Sequence, residues 1–345
     1  MAREFYFLCA RGTHGGPEAI HQIVDKINNC TDCKAYVAYF QKQFVPEEKF
    51  SNYNVNYINL KGVPDTENTV ICAPETHTYF LRKYKYAHRV ILWLSLYHYL
   101  RNLREEQYTF AEKCKYLYSN NRFPWPAYPL YYIRDILENK NHFKFDMDGI
   151  LHTQNCEYVA EYLREHGVKE SEMIYLDGPV RAEYFEDFKL PAKKNQIAYN
   201  PAKGAEEYAP LAIDAIKKLC PDTEFVAIKG MTVEQVREAL LTSRVYLDFG
   251  FFPGPEKLVK EAVLCGCNII TSDRGAAKND KDILIPSRFK FDMGTSPYEE
   301  IAKLAKAMLE KYDEYNKQFV PYMEKVKALN NDFERDVIAF VNKIG

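Results

Sequence analysis

Residues 248–275 read DFGFFPGPEKLVKEAVLCGCNIITSDRG. An apolar run at 245–249 breaks into a Gly/Pro loop, and a helical pattern resumes at about Glu256. Leu258, Val259, Ala262, Val263 and Cys265 form its apolar stripe, and Gly266 leads into a second apolar run at 268–272. Strand, loop, helix and strand in this order are the building unit of a parallel sheet covered by helices. Glu261 lies off the stripe, one turn inside the helix. It admits two readings. At the carboxyl edge of a sheet such a carboxylate can accept two ribose hydroxyls. Alternatively, Lys257 and Glu261 form an exposed i, i+4 ion pair contributing about 0.3–0.5 kcal/mol.

The same alternation continues outward. Apolar runs at 4–10, 34–40, 55–60, 69–73, 89–95, 149–153 and 174–176 read as strands. Ile20, Ile23, Val24 and Ile27 mark an amphipathic helix over 17–27. Residues 178–192, with Pro179 and Pro191 and little periodicity, read as a hinge. Beyond it, strands at 196–200 and 224–228 enclose a helix at 206–219, and a helix at 233–241 leads into the run at 245–249. From Pro297 onward the pattern is helical, with a break at Pro321. The expected fold class is α/β: two Rossmann-like domains with parallel sheets facing across a cleft, and a C-terminal helical tail. The expected divisions are 1–177, a hinge at 178–192, 193–320, and helices at 321–345 packing back toward the first domain.

A chain of 345 residues suits two domains of ordinary size. With 47% hydrophobic and 27% charged residues, intrinsic disorder is excluded. Uncharged stretches such as 90–100 reach 11 residues, short of the roughly 18 that a membrane-spanning helix needs. The opening MAREFYFLCARGTHGG, charged at Arg3, Glu4 and Arg11, reads as a first strand and not as a signal peptide. Nine irregularly spaced cysteines fit a reducing compartment, so a cytoplasmic protein is expected. A net charge of −2 argues against nucleic acid as a partner. Cys30 and Cys33 lack the second pair that a zinc site wants, and no metal site is expected.

Two more loops follow predicted strands. In Gly12-Thr-His-Gly-Gly-Pro-Glu18, Pro17 takes the favoured first helical position. Gly15 and Gly16 remove side chains where a phosphate or sugar oxygen could meet helix N-terminal N–H groups; a tight βα turn wants the same glycines. The spacing is not the G-x-G-x-x-G of dinucleotide sites. His14 is either a hydrogen-bond donor to a ligand or a surface residue. In Tyr199-Asn-Pro-Ala-Lys-Gly204, Lys203 suits a diphosphate, as a point charge beside backbone donors, or is a solvated lysine next to a turn glycine.

Taken in order, these segments resemble the GT-B glycosyltransferases, in particular the family 4-like group of bacterial enzymes that build surface polysaccharides. The order is glycine loop, hinge, Lys-Gly loop, then P-G…E-A…G-C-x-I-I-T-S-D-x-G. Thr13-His-Gly-Gly-Pro-Glu-Ala-Ile-His-Gln22, Ile91-Leu-Trp-Leu-Ser95, His152-Thr-Gln-Asn-Cys-Glu-Tyr158 and Lys281-Asp-Ile-Leu-Ile-Pro286 agree with it. The likeness covers nearly the whole chain. It implies sugar transfer from a nucleotide-sugar donor, with UDP or GDP as the nucleotide, to a glycan or lipid-linked acceptor, without a resident cofactor or metal. Glu261 matches the glutamate that binds the nucleotide ribose and Lys203 the lysine that binds the diphosphate. Gly15 and Gly16 match the loop that faces the donor phosphates.

The chain departs from this pattern twice. The first glutamate of the family's Glu-x7-Glu pair falls at Pro253, which leaves Glu256, or the backbone of Pro253, Gly254, Pro255 and Glu256, to meet the donor sugar. The arginine before the Lys-Gly loop is also missing, and Asn200 stands in that region. Lys229 is either a second cation or an exposed loop lysine. Lys203 and Glu256 are the expected catalytic residues, with backbone N–H groups helping to stabilise the departing diphosphate. A sugar-nucleotide epimerase or hydrolase of the same fold is one alternative reading. A non-catalytic nucleotide- or glycan-binding protein is another, and Pro253 is the feature that favours it.

One segment is unlike the rest. Residues 79–125 hold nine Lys or Arg against three Glu, a balance of +6, together with 13 aromatics, within an insertion expected at about 79–147. Either this is an ordinary packed layer, or it gives weak contact with an anionic membrane at the inner face, with Arg82, Lys83, Lys85, Arg101 and Arg104 as contacts.

Overall fold

The computed structural model describes residues 3–12, 15–40, 46–106, 109–119, 130, 133, 149–181, 184, 191–202 and 204–344. The chain divides into two compact units. The first holds Met1–Gln154, Tyr162–Leu176 and Val337–Gly345; the second holds Asn155–Glu161 and Asp177–Asp336.

In the first unit β1 (Glu4–Cys9), β2 (Lys34–Tyr39), β3 (Asn56–Asn59), β4 (Thr69–Pro74), β5 (His88–Trp93), β6 (Ile150–Gln154) and β7 (Met173–Tyr175) pair in parallel in the order β3-β2-β1-β4-β5-β6-β7. Parallel strands need crossovers, and α1 (Gly15–Cys30) supplies the first of them. The apolar runs of β1 and β4 are buried along almost their whole length, as expected for strands covered on both faces. Phe340, in the C-terminal stretch that belongs to this unit, packs its ring on Phe5 and Phe7 at 5.8 and 6.5 Å between centroids. At the centre, Trp93 Nε1 donates to His152 Nδ1 at 3.0 Å. Burial pushes the His152 pKa down to about 4, so this histidine is a neutral core residue.

The basic and aromatic segment is not one peripheral layer, because β5 runs through its middle and pairs with β4 and β6. Tyr84, Trp93 and Tyr99 are buried, which is the packed reading for those three. Around them Arg82, Lys83, Lys85, Tyr86 and Arg104 are exposed, and Arg101 is half-buried. Helices α2 (Leu96–Glu106) and α3 (Phe110–Ser119) follow β5, and the remainder of the expected insertion lies almost wholly outside the described residues.

After α4 (Glu157–Glu165), the second unit builds β8 (Lys194–Tyr199), α5 (Ala209–Leu219), β9 (Glu224–Ala227), α6 (Val233–Thr242), β10 (Ser243–Asp248), α7 (Lys257–Leu264), β11 (Asn268–Ser272) and β12 (Lys290–Phe291). Its five strands are again parallel, in the order β12-β11-β10-β8-β9. α8 (Tyr298–Glu310) packs on α5, and α9 (Tyr312–Asn316) and α10 (Val320–Ile344) complete the chain. The start of α6 is fixed by reciprocal capping: the Thr232 hydroxyl accepts from Gln235 N at 3.3 Å, and the Gln235 side chain accepts from Thr232 N at 2.8 Å.

Four local expectations shift. α1 begins at Gly15, so Gly15 and Gly16 are its first residues and Pro17 lies inside the first turn, where its missing N–H costs nothing. α5 begins at Ala209 instead of 206, because Gly204 takes φ +84° and Glu206 spends its carboxylate on Gly204 N at 2.9 Å. Pro321 opens α10 instead of breaking a helix, since the first turn tolerates proline. Finally, α7 buries every residue from 259 to 264, Lys260 included, while Leu258 is only half-buried. The Lys260 ammonium is neutralised by an ion pair with Asp177, which makes its burial affordable. Among the described residues no helix is long and apolar enough to cross a membrane.

Candidate functional site

Parallel α/β sheets bind ligands outside the carboxyl ends of their strands, where the strand order reverses direction. In the second unit that point lies between β8 and β10, since β9 is added on one side and β10 on the other. The loops after β8, β10 and β11 come together there.

Asp248, the last residue of β10, ties two of them. One carboxylate oxygen accepts from Asn200 Nδ2 at 3.1 Å and from the Tyr246 hydroxyl at 2.9 Å, and the other accepts from Gly250 N at 3.1 Å. Burial pushes its pKa up to about 6; the Glu256 charge adds to the rise, while the Asn200, Tyr246 and Gly250 donors restrain it. Asn200 is committed at both ends of its amide, because its oxygen accepts from Ala202 N at 3.0 Å. It shapes the Lys-Gly loop from within.

The loops after β10 and β11 are stitched by a bridge between Phe252 and Gly275. Ala276 N donates to Phe252 O at 2.9 Å, and the Ser272 hydroxyl donates to Gly250 O at 2.7 Å. Gly275 holds φ +64°, and a Cβ there would lie 2.1 Å from Phe252 O. Only glycine lets the backbones come this close.

On this frame the sequence-predicted residues fall as follows. Glu256 is the half-buried N-cap of α7, with φ +20° and ψ 113°, a conformation that L-residues seldom adopt. Pro253 and Pro255 are half-buried and Gly254 is buried between them. Glu261 is buried inside α7, so the reading of an exposed ion pair with Lys257, itself half-buried, does not hold. Tyr184 lies beside it: its pKa is pushed up by burial first and by the Glu261 carboxylate second. Lys229 is exposed beyond β9, as a loop lysine would be. Lys203 and His14 lie outside the described residues.

The first sheet also reverses, between β1 and β4, and α1 starts at the mouth of β1. A Cβ at Gly15 would meet nothing within 4 Å, and one at Gly16 would make ordinary contact with Leu94 at 3.6 Å. Neither backbone conformation nor packing demands glycine at these two positions. Beyond β2 and β4, the half-buried rings of Phe40, His77 and Phe80 stack, with Phe40 at 4.0 Å from His77 and 5.2 Å from Phe80.

The sequence reading missed Asp248 and Arg274, although both stand in the quoted stretch. Asp248 could have been found as the one carboxylate ending an apolar strand, and Arg274 by asking what replaces the missing arginine. It also passed over Asp146-Met-Asp148, a carboxylate pair of the kind that holds metals, which lies outside the described residues. Among the described residues no group of three or more His, Cys, Asp or Glu is placed to hold a metal ion.

Neither a protein-family model nor a curated protein sequence matches the chain. Solved structures do match it. A glycosyltransferase from Rickettsia africae has a TM-score of 0.62 at 10% identity, covering 99% of this chain and 98% of that one. HepE of Anabaena, in complex with UDP-glucose, has a TM-score of 0.56 at 12% identity, covering 99% and 98%. WaaG, a glycosyltransferase involved in lipopolysaccharide biosynthesis, has a TM-score of 0.53 at 10% identity, covering 99% of each chain. The fold is GT-B. Coverage is nearly complete in both directions, so the match takes in both sheets of the GT-B chain and its C-terminal helix.

Two outcomes follow from the site's frame. Gly275→Ala should cost roughly 1–3 kcal/mol of stability through strain and overpacking, read as a fall in the denaturant midpoint. Gly15→Ala, with open space around its Cβ, is the control and should not lower the midpoint. The second concerns Asp248, whose carboxyl is lifted from 3.8 to about 6. Between these values the native chain keeps a proton that the unfolded chain has released. Stability carried by this group therefore falls as pH rises from about 4 to about 6, by at most about 1.4 kcal/mol per pH unit. Unfolding at stepped pH should lose that part of the slope in Asp248→Asn; an unaltered slope would remove Asp248 as its source.

Proposed function

We propose that this chain is a glycosyltransferase that moves a sugar from a nucleotide-sugar donor to a glycan or lipid-linked acceptor in polysaccharide, lipopolysaccharide or glycoconjugate synthesis. The observation that carries the reading is the convergence, at the β8/β10 switch point, of the Gly204 turn, the Arg274 guanidinium beside it and the strained start of α7 at Glu256. That combination suits a diphosphate next to a sugar. HepE, a protein of the same fold, has been crystallised with UDP and with UDP-glucose, which supports UDP as the nucleotide here; GDP is the other candidate.

In this reading Glu261 accepts the ribose hydroxyls. Its burial strengthens such hydrogen bonds, because water competes poorly there. Glu256 and the backbone of Pro253, Gly254 and Pro255 meet the donor sugar, and Lys203 meets the diphosphate. As the bond from the sugar's anomeric carbon to the diphosphate oxygen breaks, negative charge grows on the leaving group and the sugar becomes oxocarbenium-like. Fixed cations at this sheet edge lower the barrier to the extent that they bind this charge better than the ground state. The nucleotide sugar is a substrate, and neither a cofactor nor a metal has a part in the proposal. The stacked Phe40, His77 and Phe80 support a sugar acceptor, since ring faces pack on pyranose rings. The exposed Arg82, Lys83 and Lys85 support weak contact of the first unit with anionic lipid.

A thermal-shift screen of UDP, GDP, CMP and ADP tests the donor site. A nucleotide at 100 times its dissociation constant should stabilise the chain by about 2.7 kcal/mol. Glu261→Gln should weaken that binding by about 1.5–3 kcal/mol and leave the fold intact. Silence from every nucleotide would sink the reading. The lipid contact is checked by co-sedimentation at low salt: binding to anionic but not neutral vesicles is expected, and it should fade toward 1 M salt as the Debye length shrinks to about 3 Å.

A further inference from the structure

Arg274 follows β11 by two residues and is held from every side of its chain. Its carbonyl accepts from Phe252 N at 3.4 Å, and the next residue is the glycine that no side chain can replace without strain. Its guanidinium carbon lies 5.5 Å from the centroid of the Tyr208 ring and 5.8 Å from that of Phe251. Tyr208 belongs to the loop after β8 and Phe251 to the loop after β10, so one cation is gripped by both loops of the switch point. Nη1 also comes within 3.7 Å of where a Cβ on Gly204 would stand. The Lys-Gly turn thus passes beside the guanidinium.

What Arg274 lacks is an anion. Among the described residues no carboxylate pairs with it and no acceptor takes its N–H groups. Other cations of this unit are committed: Lys260 to Asp177, Lys290 to Asp280, Lys281 to Glu157. Ring contacts use the faces of a guanidinium, while its five N–H donors lie in its plane. A half-buried arginine held this firmly, with its donors unspent, is built to receive an anion. Its planar fork matches two phosphate oxygens in a way that an ammonium cannot.

We propose that Arg274 binds the diphosphate of the nucleotide sugar, supplying from the loop after β11 the guanidinium that the chain lacks before its Lys-Gly loop. This rests on the glycosyltransferase reading above and assigns to that site a residue the sequence comparison did not. The Gly204 turn presents the phosphates to the fork, and Tyr208 and Phe251 set its direction.

The test is calorimetry of the full chain with UDP and GDP against UMP and GMP, on wild type, Arg274→Ala and Arg274→Gln. Gln keeps part of the stem between the rings and so guards against a folding defect. The affinity for whichever diphosphate the wild type binds should fall about 10- to 100-fold in both variants, the scale of one charge-assisted hydrogen bond. The affinity for the monophosphate should fall less. Arg274→Lys should restore only part of the loss, because it returns the charge without the fork. If both variants bind the diphosphate as tightly as wild type, Arg274 does not contact it, and the glycosyltransferase reading survives. If mono- and diphosphate affinities fall equally, Arg274 only props up the loop, and the proposal is again overturned. If wild type binds none of the four nucleotides, the proposal falls together with the reading beneath it.

Discussion

Parallel pairing is the constraint on which everything else in this molecule depends. Because every strand of each sheet runs the same way, all carboxyl ends lie along one edge, and each return to the opposite edge consumes a crossover. Loops at the carboxyl edge are thereby gathered side by side, although their sequences are far apart. In the second unit Tyr208, Phe251 and Arg274 meet because β8, β10 and β11 are neighbours in the sheet, while β9 has been moved to the other side of β8. The site is thus a product of strand order, and no local stretch of sequence contains it.

Burying ionised groups at such an edge requires partners, and the chain handles two cases differently. Lys260 is buried in α7 with a full counter-charge, Asp177, so neither group is left alone in a poor dielectric. Asp248 is buried with three neutral donors, and among the described residues no cation pairs with it. Hydrogen bonds from Asn200, Tyr246 and Gly250 satisfy its oxygens but leave the charge uncompensated, which is why burial dominates and lifts its pKa. The cost secures a rigid junction: one side chain fixes the end of β10, the Lys-Gly loop and the turn at Gly250. Arg274 is the complementary case, a cation packed against ring faces and, among the described residues, left without an anion. A site that receives a diphosphate, as proposed above, would need positive charge that the protein has not already neutralised.

This difference explains what the sequence made legible. Strands such as β1, β4, β10 and β11 are each built around a short apolar run, because burial on both faces favours apolar residues there, and the helices between them carry an equally marked 3.6-residue period. Architecture could therefore be read from pattern alone. Helix starts were read less well, since α1 and α5 depend on what a glycine or a neighbouring carboxylate does to a few N–H groups. Lys260 was invisible as a buried residue because its partner is 83 positions away. Arg274 was invisible for the same reason: its ring contacts come from loops after two other strands. Glu261 and the Lys-Gly loop could be picked out because a family pattern marks them, whereas Asp248 and Arg274 had only geometry to mark them.

The glycines make the point most sharply. Gly204 and Gly275 are required by the protein itself, the first by a positive φ and the second by both φ and the carbonyl of Phe252. A mutation there reports on folding. Gly15 and Gly16 have ordinary backbone angles and room for a methyl group, so folding does not ask for glycine, and at a helix start it is the poorer choice entropically. A glycine that costs stability where a methyl group would fit answers a demand other than folding. At the carboxyl edge of β1 the proposed sugar transfer would supply such a demand, since a ligand oxygen can come closer to a glycine backbone than to any other. The same letter in the sequence thus stands for two different physical demands, and only the space around each Cβ separates them.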